Sequence, residues 1–249
     1  MVYYVVYKAS KNYSNRSLIP NRLRAMGCRQ INRGFWEVNR ERISEVLKVL
    51  QRNQPIVLKR TRGVRKRHIA NGRVQDIGSL ILVSFNVPKS ERERLRRLVK
   101  AAPCIRLCRG VYAFYQRQSK LDRENGLASV DKLINFVRDM GGSVRVFPKL
   151  TVVGEGSTQR LIEEAKRQME NEIKEITQGR SELNAKLLSK QYSREYFLYH
   201  LSRIKRQYAI LNRKAKYFSR WLAIDTSKSL MKAYRSLIKV RCTIRMYFT

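Results

Sequence analysis

Two stretches of the chain lie on one another without a gap. Cys28 falls on Cys104, Arg33–Gly34 on Arg109–Gly110, and Phe35–Trp36 on Val111–Tyr112. The shared step is Arg-Gly-apolar-aromatic, with a cysteine six residues before the glycine, and it marks an internal duplication. The flanking patterns repeat too. Val2 to Tyr7 is an unbroken apolar and aromatic run, the signature of a strand buried on both faces. A polar loop, KNYSN, leads to a helical stretch, SLIPNRLRAMG, that stops at Gly27. CRQINRGFWEV reads as a strand or hairpin. RISEVLKVLQR places Ile43, Val46, Leu47 and Leu50 at helical spacing, and PIVLKR is a short strand.

The second copy starts with SLILVSFNVP, a buried strand. KSERERLRRLVKAAP is a basic helix that can start at Ser90, with Glu93 three residues on as a partial capping box. CIRLCRGVYAF is a strand or hairpin. SVDKLINFVRDMGG carries Val130, Leu133, Ile134 and Val137 on one helical face and terminates at Gly141–Gly142. SVRVFPKL alternates like a strand. The order is βαββαβ, twice, and a sheet of that order with two helices on one face is ferredoxin-like. The expected fold is therefore α+β. Two tandem ferredoxin-like units, over residues 1–60 and 79–152, sit side by side as a pseudo-dimer, and an all-helical C-terminal region follows over 153–249.

Residues 61–78 join the units. The surrounding stretch, KRTRGVRKRHIANGRVQDIG, holds seven basic residues, three glycines and one acid. Read as scaffold it is a solvated linker or a basic β-hairpin. Read as function it is an arm that grips phosphates and orders on binding, with Arg60, Arg62, Arg65, Lys66 and Arg67 as its contacts.

Charge decides between these readings. The chain carries 54 Lys and Arg against 19 Asp and Glu, a formal net charge of +35. Such a field repels itself in the compact state and favours a polyanionic partner. No apolar run approaches the ~20 residues that span a bilayer, and the N-terminus lacks a signal-peptide pattern. The expectation is an intracellular, cytoplasmic protein associated with nucleoid or ribosome, without a membrane partner.

Chemistry of other kinds is poorly supplied. Cys104 and Cys108 are four strand steps apart, roughly 13 Å at ~3.3 Å per residue, too far for one zinc, and read as buried reduced thiols. His68 and His200 are the sole histidines. No Gly-rich phosphate loop occurs, and GEGS at 154–157 is a lone turn. No cofactor or metal is expected.

In the first 150 residues the pattern resembles a known family, the small ferredoxin-like subunit of CRISPR adaptation complexes (the Cas-two family). Related domains occur in VapD-type toxins and in the C-terminal part of phenylacetate-type repressors. GSVRVFPKL at 142–150 is similar to the family's last strand. RQINRGFWEV at 29–38 echoes its central strand, with Gln30 and Glu37 in plausible places, and IRLCRGVYAF at 105–114 keeps the shape. The resemblance implies a metal-binding aspartate at the end of the first strand. Lys8 stands there in the first unit and Asn86 in the second. Neither supplies a carboxylate for Mg²⁺, so cleavage of the family type is read as lost. Glu37 and Glu91, the nearest acids, are explained by a hairpin position and a helix first turn. Lys8 is left to pair locally or to bind a phosphate. The resemblance also implies a sheet laid against a duplex, hence a double-stranded target.

Beyond residue 153 the composition changes. Leu161, Ile162, Ala165, Met169, Ile173 and Ile176 make an amphipathic helix within 158–190, a contact surface for a second copy or a protein partner, with Gly179 as a break or turn. From 192 onward aromatics interleave with basic residues, and Glu195 and Asp225 are the sole acids. The aromatics pack inward. Arg203, Lys205, Arg206, Arg213, Lys214, Lys216 and Arg220 face phosphates. Arg94, Arg96 and Arg97 of the second unit's basic helix, with Arg33 and Arg109 of the hairpins, complete the candidate set. The expected function is non-catalytic nucleic-acid binding led by phosphate contacts with weak sequence preference, double-stranded DNA ahead of structured RNA. A ribosome-associated ribonucleoprotein component and a divergent metal-dependent nuclease are the alternatives.

Overall fold

The computed structural model describes residues 2–8, 18–70, 72–116, 126–188 and 192–248, so the KNYSN loop lies outside the described residues. The first half holds β1 (Val2–Val6), α1 (Leu18–Ala25), β2 (Arg29–Asn32), β3 (Phe35–Asn39), α2 (Ile43–Leu50) and β4 (Ile56–Arg60). Two short strands, β5 (His68–Ala70) and β6 (Arg73–Asp76), come next. The second half holds β7 (Leu80–Asn86), α3 (Arg92–Lys100), β8 (Ile105–Cys108), β9 (Val111–Tyr115), α4 (Val130–Asp139) and β10 (Ser143–Val152). Three long helices finish the chain: α5 (Glu155–Leu188), α6 (Arg194–Leu222) and α7 (Ser227–Tyr247).

The fold is α+β. One eight-stranded antiparallel sheet contains both halves, in the order β2-β3-β1-β4-β10-β7-β9-β8. The order reads the same outward from the β4–β10 seam in either direction. β10 spans that seam: Ser143–Phe147 pair with β7, a register shift follows, and Leu150–Val152 pair with β4. Pro148 and Lys149 fill the irregularity, with Lys149 at φ 57. A bulge is where a sheet tolerates a residue without an N–H.

The duplicated hairpins have the same register. Val6 stands opposite Phe35, and Ser84 opposite Val111. One residue on, the Tyr7 amide donates to the Gly34 carbonyl at 2.9 Å and the Phe85 amide to the Gly110 carbonyl at 2.8 Å. Lys8 and Asn86 are therefore equivalent positions, each one residue beyond a matched hydrogen bond.

Alternation along the strands sends side chains to two faces. On one face Val5, Tyr7, Trp36 and Val38 pack with Ile19 and Leu23 of α1 and Val46 and Leu50 of α2. The second half does likewise: Val83, Phe85 and Phe114 meet Leu95 and Val99 of α3 and Leu133 and Val137 of α4. On the opposite face Tyr4, Val6, Phe35, Leu80, Leu82 and Val111 belong to a single core with α5, α6 and α7. β1 is buried on both faces, as its composition predicts. The C-terminal region is thus the third layer of the fold rather than an appendage.

Helix ends follow local chemistry. After α1 the Cys28 amide reaches the Leu23 carbonyl at 3.0 Å, and after α4 the Gly142 amide reaches Val137 at 2.9 Å. Gly27 and Gly141 supply the positive φ that this C-terminal motif needs. Ser129 caps α4 by accepting from the Lys132 amide at 3.2 Å. The capping box expected at Ser90 does not form. A short 3₁₀ turn, Lys89–Glu91, precedes α3 and no side chain caps it. Glu93 is held instead by Arg96, at 2.8 Å.

Gly179 does not break the long helix. α5 runs for 34 residues through it. A Cβ at Gly179 would lie 3.9 Å from Ile204 Cδ1, an ordinary contact against α6. The helix is held by packing on both sheet and α6, which outweighs the ~1 kcal/mol propensity penalty of one glycine. Gly179→Ala is accordingly expected to raise stability by about 0.5–1 kcal/mol in urea unfolding. A loss would mean that this helix contact has no room for a methyl group.

Candidate nucleic-acid interface

The sheet itself is not an open platform. Helices cover both of its faces, so the duplex-against-sheet geometry implied by the family resemblance has no free face here. Cationic side chains outside the three layers form the accessible surface.

The first group sits where the sheet coils back on itself. The turns that carry Arg33 and Arg109 meet: Asn32 Nδ2 donates to Ser84 Oγ at 2.7 Å, and a Cβ on Gly34 would lie 3.6 Å from Cys108 Sγ. Both arginines are exposed. Lys8 lies beside these turns and pairs with Glu164 of α5, which also takes Arg167. Burial pushes the Lys8 ammonium below its ordinary range, opposed by its bond to Glu164. Of the two roles left to Lys8, the structure shows the local ion pair. A cleft of about 400 Å³ opens here, lined by the cations Lys8, Arg52, Arg160 and Arg167 and by the carboxylates Glu163 and Glu164. Among the described residues no group of three His, Cys, Asp or Glu side chains could hold a metal ion. Glu37 is engaged by Arg29 at 2.5 Å.

The second group is the 61–78 segment, folded as a hairpin. β5 pairs with β6, apart from the main sheet. Its base is fixed: the Ser79 amide donates to the Arg65 carbonyl at 3.1 Å, the Arg65 amide donates to Ser79 Oγ at 2.8 Å, and Trp221 Nε1 donates to the Ile77 carbonyl at 3.0 Å. Arg65 also pairs with Asp76 at 2.9 Å. Arg60, Arg62, Lys66 and Arg67 are exposed along it. Of the two scaffold readings, the segment is a basic β-hairpin rather than a linker without strands.

The third group, on α3, is partly neutralised from within. Arg94 meets Glu91 at 3.1 Å, while Arg96 and Arg97 meet Glu93 at 2.8 and 3.8 Å. All three arginines remain exposed, and exposed pairs of this kind contribute little.

The fourth group is on α6. Arg203, Lys205, Arg206, Arg213, Lys216 and Arg220 are exposed as expected. Lys214 is a correction: its side chain is 0% exposed and cannot meet a phosphate. It bonds Glu172 of α5 at 2.5 Å and the Lys100 carbonyl at 3.2 Å. The sequence carries the signal for this. Lys214 stands three residues after Leu211 and four before Phe218, on the buried stripe of α6.

The expected inward packing of the aromatics is found for Phe197, Tyr217, Phe218 and Trp221, which are buried, whereas Tyr199 is exposed. The apolar stripe of α5, with Leu161, Ala165, Met169 and Ile176, also packs into the chain's own core. Cys28, Cys104 and Cys108 are buried free thiols, Cys104 and Cys108 each pushed up to about 12 by burial, while Cys242 is exposed.

Arg194, Arg241 and Arg245 are cations that the sequence reading passes over. With Lys205 they line a cleft of about 360 Å³ between α6 and α7, floored by Leu201 and Ile244. Their spacing is visible in the sequence: Arg194, Leu198, Leu201 and Lys205 fall on one face of α6, and Arg241, Ile244 and Arg245 on one face of α7.

No helix among the described residues is long and apolar enough to cross a membrane. No family model, curated protein or solved structure matches the chain.

Proposed function

We propose that this chain is a non-catalytic nucleic-acid-binding protein that holds a duplex, DNA ahead of structured RNA, through its phosphates. The observation that carries this is the placement of a +35 charge around a sheet whose two faces are occupied. Contacts then come from exposed Lys and Arg side chains on helices and turns, and their pairing with phosphates carries no sequence information directly. Stacking partners are largely withdrawn, since most α6 aromatics are in the core, and this favours a paired target over single strands. Two further points support the architecture behind the proposal. Each half has the strand order of a ferredoxin-like unit, in keeping with the likeness to the CRISPR adaptation subunit. On that likeness, Lys8 and Asn86 would stand where the family has its aspartates.

One observation favours the ribonucleoprotein alternative. Tyr199 and Tyr234 are 61% and 50% exposed among lysines and arginines, a surface suited to unpaired RNA bases.

A salt titration separates these readings. Binding to duplex DNA through six to ten phosphates is expected to weaken about 10³–10⁵-fold between 50 and 200 mM salt, with duplex bound more tightly than single strands of equal charge. Affinity that ignores salt overturns the proposal. Tighter binding to structured RNA, together with co-sedimentation with ribosomal subunits, moves it to the second reading.

A further inference from the structure

α7 carries two apolar stripes where a surface helix needs one. The first, Leu230, Ala233, Leu237, Val240 and Ile244, is buried in the core. The second, Met231, Tyr234 and Ile238, has the same spacing of three and four and faces out, at 53%, 50% and 44% exposure. Holding the fold together explains the first stripe and leaves the second without a use. The second stripe is part of a longer groove. The Tyr234 ring lies 5.5 Å from that of Tyr208 on α6, and the Tyr208 hydroxyl donates to the Leu230 carbonyl at 3.4 Å. Two turns before Tyr208, Leu201 is on the same face of α6 and meets the hollow that it shares with Ile244. The outer groove between α6 and α7 therefore offers apolar side chains from the exposed Leu198 at one end to Met231 at the other.

Charge and shape narrow what can lie in it. α7 contains no Asp or Glu. Lys228, Lys232, Arg235 and Lys239 are exposed along one side of the stripe, and Arg241 and Lys205 of α6 along the other. A second copy of the chain would set one row of lysines against another, with a net charge of +35 on each molecule, which opposes association. A duplex presents charged phosphates first, against which burying Met231 and Ile238 gains little. A bilayer is flat and leaves the hollow of about 360 Å³ beside the stripe unfilled. A helix lying in the groove turns a ridge of apolar side chains into it and carboxylates to both rims. Met231 adds an unbranched, adaptable side chain of the kind that helix-binding grooves use.

We infer that the groove between α6 and α7 docks an amphipathic helix of a partner protein, apolar on the face it turns to Met231, Tyr234 and Ile238 and acidic at both edges. The interaction does not depend on nucleic-acid binding. It gives the chain a protein-contact surface on α7, in place of the α5 stripe that packs into the chain's own core.

The test titrates the full chain, by fluorescence anisotropy, with a labelled helical peptide that has leucine at alternating three- and four-residue spacing and glutamate at the flanking positions. A scrambled peptide of the same composition keeps the charge and loses the apolar face. The ordered peptide is expected to bind about tenfold more tightly than the scrambled one, or better. Met231→Gln/Ile238→Gln leaves the charge of the chain unchanged; it is expected to lose about tenfold or more in affinity for the ordered peptide and to bind duplex DNA like wild type. Val64→Gln, at an exposed apolar residue of the hairpin, is expected to lose none. Circular dichroism checks folding, and Ile238→Gln alone replaces the double variant if that misfolds. Equal binding of the two peptides overturns the proposal, as does undiminished binding by Met231→Gln/Ile238→Gln. Phosphatidylserine vesicles that bind wild type in preference to the ordered peptide, and not the double variant, assign the face to a membrane and overturn the helix. A dimer in sedimentation equilibrium that the double variant loses assigns it to a second copy, with the same consequence. Duplex binding that falls together with peptide binding overturns the independence of the two surfaces. A wild type that binds the ordered peptide but no duplex overturns the nucleic-acid reading and leaves this one standing.

Discussion

Lys214→Ala is expected to destabilise the fold by about 3 kcal/mol, the penalty for leaving a largely desolvated carboxylate without its cation. Glu172 is 16% exposed and Lys214 0% exposed, so water can reach the carboxylate only in part. This places the effect at the low end of the range for broken buried pairs. The lysine joins three elements, because its ammonium bonds both Glu172 on α5 and the last carbonyl of α3. Gln168, one turn earlier on α5, continues the same polar seam. It accepts from the Arg106 amide at 3.1 Å and donates to the Cys104 carbonyl at 3.2 Å, covering the edge of β8. Removing both charges together, as Lys214→Met/Glu172→Leu, is expected to return stability to within about 1 kcal/mol of wild type. Urea unfolding of the single and double variants measures both values. A double variant as damaged as the single one would show that the seam depends on charge rather than on filled volume. Neither change is expected to alter the salt slope of nucleic-acid binding, since Lys214 is inside the protein.

Gly34→Ala and Gly110→Ala are expected to cost about 2–4 kcal/mol each. Both glycines have positive φ, 81 and 75. Both also lie under a carbonyl: a Cβ at Gly34 would be 2.5 Å from the Tyr7 oxygen, and one at Gly110 2.8 Å from the Phe85 oxygen. The Phe85 carbonyl belongs to β7, and the Tyr7 carbonyl follows directly on β1 in a residue whose own amide is bonded to Gly34, so neither can step aside easily. Gly27 is the control. Its φ is 74, but nothing lies within 4 Å of an added Cβ, so alanine there is expected to cost only about 1 kcal/mol. The double variant Gly34→Ala/Gly110→Ala is expected to fall short of additivity, because the two turns touch and one disruption already loosens the other. Additive losses would mean that the turns are independent.

The repeat was legible because the two hairpins need the same glycine at the same place. Gly34 and Gly110 are required by backbone geometry, whereas the residues that follow them, Phe35–Trp36 and Val111–Tyr112, share only their apolar character. The same backbone requirement holds for Gly27 and Gly141 at helix ends. The covered sheet was not legible. Leu80, Leu82 and Val111 read as core whatever covers them, and nothing in their pattern names α5, α6 and α7 as the cover. Gly179 was misleading because propensity is local, whereas α5 is held along its length by the sheet and α6. Lys214 was misplaced for a related reason: charge outweighed periodicity in the reading of α6, although the partner that makes burial tolerable, Glu172, is on another helix. The cleft cations were missed because α6 and α7 are separate segments whose basic faces converge only after folding.

The seam at β10 bears on the order in which this protein can be made. β4 has one neighbour, β1, until residues 150–152 are synthesised and pair with it. During that interval a nascent chain carries an unpaired edge next to seven closely spaced cations between Lys59 and Arg73, two at the end of β4 and five in the segment after it. Like charges there oppose strand-to-strand association between chains. The apolar sheet face waits longer still, for helices that end at Tyr247. Its core contacts join residues far apart in sequence, Tyr4 and Ile244 in one cluster, and so this layer closes only after α7 has been made.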